Sequence, residues 1–148
     1  MKSILMTLGL GLVLAGLSTG ACARDTVLQI PLADVLDMPE AQAKLDGSVK
    51  FFLDGQPKPK VLKTFGAEVV NEKTNGANKS DEFGCKWAAL SGLIRLQELA
   101  KRQGANAVIN IVSYYKKGEV KSSTTFECHA GTFVIGVALK GDFAKIAN

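Results

Sequence analysis

The sequence predicts an α+β domain: a mostly antiparallel sheet of four to five strands, one long amphipathic helix packed on that sheet, and a short N-terminal helix. Three observations carry this reading. Ala89, Leu93, Leu96 and Ala100 recur at helical spacing across 86–103, and Trp87, Leu90 and Ile94 widen the same apolar face. Segments 107–115, 120–128 and 132–139 are rich in β-branched and aromatic residues and are separated by turn-forming residues. Two further β-prone segments, 49–53 and 61–70, precede the helix, so a single helix stands between two groups of strands.

Taken in order, 27–30 is a short apolar run stopped by Pro31, as an edge strand would be. Asp37 with Glu40 three residues later reads as a capping-box start, Pro39 is tolerated in the first turn, and Asp46-Gly47 ends the short helix. Asp54-Gly55, Pro57 and Pro59 between 49–53 and 61–70 predict a hairpin with a long connection. Lys58, Lys60 and Lys63 belong to a solvated extended stretch there rather than a binding stripe. Segment 71–81 is polar and predicts a loop. After the long helix, Gly104 is a natural stop, and Lys101 and Arg102 complement the helix dipole without needing a ligand. Lys116-Lys117-Gly118-Glu119 and His129-Ala130-Gly131 would turn a three-stranded meander, and Gly131, Gly136 and Gly141 mark bulges or close backbone approach in its last part.

The chain has 148 residues, 47% hydrophobic and 22% charged, which fits one globular domain and excludes a disordered or polytopic membrane chain. Its net charge of +4 is scattered, so no nucleic-acid partner is expected. Lys2, the uncharged apolar run 4–17 and Ala21-Cys22-Ala23 read as a signal peptide over 1–23, leaving one domain over 24–148 and a periplasmic location. An alternative is a lipid anchor on Cys22, the only route by which a membrane becomes a partner; the missing leucine three residues earlier opposes it.

Export leaves Cys85 and Cys128 to pair with each other. Such a disulfide closes a loop of about 44 residues, worth about 4 kcal/mol in the chain-entropy model. The alternative is a metal site using Cys85, Cys128 and His129, the single histidine, although no familiar ligand spacing supports it. No other cofactor is implied. Segment 75–80 looks like the tail of a phosphate-binding loop, but Lys73 and Asn78 stand where its glycines belong, which removes the backbone cradle. His129 has Glu127 and Ser122 or Ser123 near it in sequence, without a nucleophile elbow or a third orienting group. No catalytic residue is assigned. Tyr114, Tyr115, Lys116 and Lys117 form a candidate contact surface, with strand alternation placing the two tyrosines on opposite faces.

Gly104-Ala105-Asn106-Ala107-Val108, preceded by a helix with a cysteine at its start and followed by a cysteine-bearing strand and Val134-Ile135-Gly136-Val137-Ala138-Leu139, resembles two groups. These are the outer-membrane stress-sensor lipoproteins of the Rcs system and the small α/β family called heavy-metal-binding domains. The resemblance spans about residues 85–140 and implies a fold more than an activity. The chain departs from the stress sensors in having one possible disulfide instead of two. Ser113-Tyr114-Tyr115-Lys116-Lys117 and Asn78-Lys79-Ser80-Asp81 also resemble small exported proteobacterial proteins labelled excinuclease ATPase subunit, a label that the degenerate phosphate loop, the export signal and the small single domain all oppose. The sequence thus leads to a non-enzymatic periplasmic interaction or envelope-stress-sensor-like module with an unknown envelope partner. A periplasmic metal-binding protein is the alternative, and an ATPase is least supported.

Overall fold

A computed structural model describes residues 23–148. The leader reading over 1–23 lies, but for Ala23, outside the described residues, as does the Cys22 reading. Six strands and three helices are present: β1 (Thr26–Pro31), α1 (Leu32–Leu36), α2 (Pro39–Lys44), β2 (Lys50–Leu53), β3 (Val61–Asn75), α3 (Asp81–Arg102), β4 (Ala107–Ser113), β5 (Thr125–Ala130) and β6 (Val134–Ile146). A single 3-10 turn, Tyr115–Lys117, follows β4.

The architecture is α+β, with a curled mixed sheet in place of the mostly antiparallel one of four to five strands. Three pairings correct the expectation. β2 and β3 form no hairpin: β2 runs parallel to β4, and β3 pairs antiparallel with β6 along its whole length. The meander also fails, because β4 and β5 each pair with β6, and Val120 makes only an isolated bridge to Ser113. The reason is α3. A helix of 22 residues between β3 and β4 carries the chain back to its starting end, so β3 and β4 run the same way and leave a slot for an antiparallel β6. β6 takes β3 on one edge and both β4 and β5 on the other, which curls the sheet.

The long helix begins earlier than its apolar periodicity indicates, because Ser80 caps it: its Oγ accepts from Phe83 N at 3.2 Å. It ends at Gly104 as expected, with Gly104 in the left-handed region and donating to Lys101 O, while Ala105 N donates to Ala100 O. The N-terminal helix is two helices. Proline forces its predecessor Met38 into extended backbone, so the chain breaks there and restarts with Pro39 in the first turn. Asp37 closes α1 and caps nothing with its side chain; Met38 occupies the cap position of α2.

α3 packs on one sheet face with Leu90, Leu93 and Leu96 against Ile135, Val137, Leu139 and Phe143. Trp87 lies partly buried against this core, as its place on the apolar face implied, and stacks on Phe83. Cys85 and Cys128 are bonded and fully buried, fastening α3 to β5. Of the three glycines, Gly141 answers the bulge expectation: it faces the extra residue in β4 where Asn110 has positive φ, and an added Cβ would lie 2.6 Å from Val108 Cγ1. The other sheet face is covered at one end by a small cluster of Ala107, Ile109, Ala144 and Ile146 with Phe52 and Val61. Its opposite end carries a groove.

Candidate functional site

Strand register builds this groove. Val27 pairs with His129, His129 with Gly136, and Gly136 with Lys73, so one row crosses β1, β5, β6 and β3. Alternation sends Phe126, Cys128 and Ala130 toward α3 and puts His129 on the other face. Gly136 has no side chain and leaves a floor between His129 and Lys73. The resulting open groove of about 590 Å³ is lined also by Ala23, Arg24, Asp25, Asn71, Tyr115, Lys116, Gly131 and Val134.

His129 is fixed on three sides. Its Nδ1 is 3.0 Å from Asp25 Oδ1, and an ionised carboxylate only accepts, so this contact places a proton on Nδ1. Nε2 is buried without a hydrogen-bond partner among the described residues and lies 3.7 Å from Glu127 Oε2. Tyr115 covers the ring at 3.4 Å between centroids, with planes 13° apart, and the Lys116 ammonium lies 5.2 Å from the Tyr115 centroid. The imidazole is thereby 12% exposed.

The 114–117 surface exists, but not by strand alternation. β4 ends at Ser113, Tyr114 N still donates to Ala138 O, and the chain then turns so that Tyr115 lies on His129. Tyr114 and Tyr115 are both half-buried, under Lys140 and on His129 respectively. Lys116 and Lys117 are exposed and have φ of 50° and 65°, the left-handed region that non-glycine residues seldom adopt. Lys140 also bonds Glu119 at 2.8 Å; this hydrogen bond and its charge hold the Glu119 carboxyl below its ordinary range and raise the Lys140 ammonium.

At the groove's end, Arg24 grips Asp81 with both arms, at 2.7 and 3.0 Å, and donates to Gly131 O at 2.8 Å. The Asp81 carboxyl is lowered by this hydrogen bond, and the Arg24 guanidinium is correspondingly raised. The chain leading into β1 is thus tied to the start of α3 and to the β5–β6 turn.

No family model, curated protein or solved structure matches the chain. The geometry therefore stands alone. Cys85 and Cys128 are joined to each other on the α3 side while His129 points to the opposite face, so these three do not converge as ligands. Among the described residues no group of three or more His, Cys, Asp or Glu is placed to hold a metal. Segment 75–80 does join a strand to a helix, as a phosphate loop would. Its polar groups are engaged locally, however: Gly76 N donates to Phe133 O, Ala77 N to Asn75 Oδ1, Phe83 N to Ser80 Oγ, and Lys79 Nζ to Thr74 Oγ1.

Sequence reasoning found His129, Tyr115 and Lys116 but missed Asp25, Asn71, Lys73 and the floor role of Gly136. Asp25 and His129 are 104 positions apart, and Lys73 joins the site only through the β3–β6 pairing, which no local pattern encodes.

Proposed function

We propose that this protein is a non-enzymatic binding module of the bacterial envelope, exported and active outside the cytoplasm. Its working surface is the sheet face around Tyr115 and His129. One observation carries the reading: α3 closes one face of the sheet, while the other keeps a groove to which five separate parts of the chain contribute side chains. Those side chains are aromatic and cationic, the residue types that serve contact and recognition. Export is supported by the Cys85–Cys128 disulfide, which suits an oxidising compartment, and by the N-terminal pattern. Among the described residues no helix is long and apolar enough to cross a membrane. The resemblance to envelope stress sensors agrees with this reading but identifies no partner.

A photocrosslinking side chain placed at Lys116, on the groove, and at Glu98, on the exposed side of α3, tests the proposal in living cells. A discrete adduct from position 116 that is absent from position 98 is expected. Equal labelling from both, or none from 116, overturns the groove as the working surface. Intact mass of the protein from the periplasmic fraction tests export, with a chain starting at Arg24 and two thiols alkylated only after reduction as the expected result.

A further inference from the structure

We propose that the groove binds a phosphate monoester, held between the ammonium groups of Lys73 and Lys116. This deepens the binding-module reading and rests on it. Lys73 on β3 and Lys116 after β4 line the same groove from different elements, both exposed, and neither has a carboxylate within ion-pair distance among the described residues. Arg24, Lys86, Lys101 and Lys140 are matched by carboxylates, and among the described cations that form no ion pair Lys73 and Lys116 are the two that line this groove. The one carboxylate among the lining residues, Asp25, accepts from His129 Nδ1 and is turned to the imidazole. The groove thus carries the Lys73 and Lys116 ammonium groups, the latter 5.2 Å from the Tyr115 centroid, against one carboxylate already engaged.

The kind of cation and the number of charges select the anion. A planar carboxylate is matched best by a guanidinium fork, and the guanidinium that lines this groove, that of Arg24, already holds Asp81 with its two terminal nitrogens. Two separate ammonium groups act as point charges and suit a tetrahedral oxyanion approached from two sides. A phosphate monoester carries nearly two negative charges at neutral pH, because its second ionisation lies near pH 6, and takes up both lysines; a carboxylate or phosphodiester carries one. Asn71 supplies an amide on the same wall as Lys73. The floor of Gly136 and the side chain of Val134 leave room for a nonpolar body beside the charged group. Backbone geometry agrees, since Lys116 holds a left-handed conformation that costs energy and places its side chain over Tyr115.

The test is a titration of the purified protein with glycerol 3-phosphate followed by amide chemical shifts, with acetate and phosphatidylglycerol vesicles as separate arms. Saturable shifts confined to residues around Tyr115, His129 and Gly136 are expected, with affinity falling about threefold in each of Lys73→Gln and Lys116→Gln and unchanged in Lys58→Gln. All three positions are exposed, so folding is preserved in each variant. Absence of saturable shifts, equal binding of acetate, or indifference to both lysine substitutions overturns the proposal. Binding to vesicles without binding to the soluble monoester also overturns it, in favour of a lipid headgroup. A negative titration with crosslinking from position 116 retained removes only the ligand assignment; loss of the crosslinking pattern with phosphate binding retained removes the partner-docking reading instead.

Discussion

Tyr115 and His129 lie flat on one another, so each shields the other's face from water. Tyr115→Ala is expected to lower stability by about 1 kcal/mol, the ordinary worth of such a pair, while Tyr115→Phe keeps the stack and stays within about 0.5 kcal/mol of the parent in urea denaturation. A second prediction concerns acid. The carboxyls of Asp81, Glu119 and Asp46 are all held below their usual range, by hydrogen bonds from Arg24, from Lys140, and from Lys101 and Ser48 respectively. A carboxyl whose folded value is depressed contributes stability above its unfolded value, near pH 4, and loses it as pH falls through the folded value. The urea midpoint should therefore drop below about pH 4, and less steeply in Asp81→Asn, with high salt blunting the difference because these pairs are exposed. At this scale the sequence is informative only where neighbours are local. His129 and Tyr115 stood out by residue type, whereas Asp25 became meaningful only when β1 was laid beside β5.

Two glycines of α3 make opposite predictions from one helix. A Cβ on Gly84 would overlap Ile135 Cδ1, and Ile135 is fully buried. Gly84→Ala should destabilise by about 1–3 kcal/mol despite the better helix propensity of alanine, and adding Ile135→Val, which deletes the clashing methyl, should restore part of that loss. Gly92 has ordinary contacts at 3.5 Å and beyond, so Gly92→Ala should be neutral or stabilising by up to about 1 kcal/mol. Thermal unfolding of the three variants and the parent reads both outcomes, and a harmless Gly84→Ala would mean that α3 sits farther from β6. Elements themselves were largely legible: α3 through its apolar spacing and the Gly104 stop, β1 through Pro31, β4 through its β-branched run. Their limits and partners were not. The polar stretch 71–75 reads as loop because the sequence lacks apolar residues there, yet its backbone pairs fully with β6 and its side chains border the groove. Val120 has strand propensity but lies beyond the end of the sheet ladder.

For the molecule as a whole, the disulfide is the main covalent constraint. Replacing Cys85 and Cys128 together by alanine should lower stability by about 4 kcal/mol while preserving the α+β circular dichroism of the folded chain; a loss below about 1 kcal/mol would mean that the unfolded chain is already compact around this loop. That pairing was readable because the third cysteine, Cys22, falls within the expected leader and leaves Cys85 and Cys128 to each other. The mixed sheet was not, because a hairpin and a crossover place the same propensities along the chain, and the choice between them depends on where β6 inserts.

The insertion of β6 has a consequence in time. β6 is the keystone: among the described residues β3 pairs with no other strand, the ladder joins β5 to β4 through it, and α3 packs directly on its inner residues. Most of the sheet's pairing therefore joins residues far apart in sequence and waits for the C-terminus, a topology that folds slowly. Any machinery that handles this chain from its N-terminus onward, whether synthesising it or threading it through a pore, meets an unfinished sheet until the final strand arrives. Folding is thus deferred by topology alone, and loss of β6 removes the centre of the structure rather than its edge.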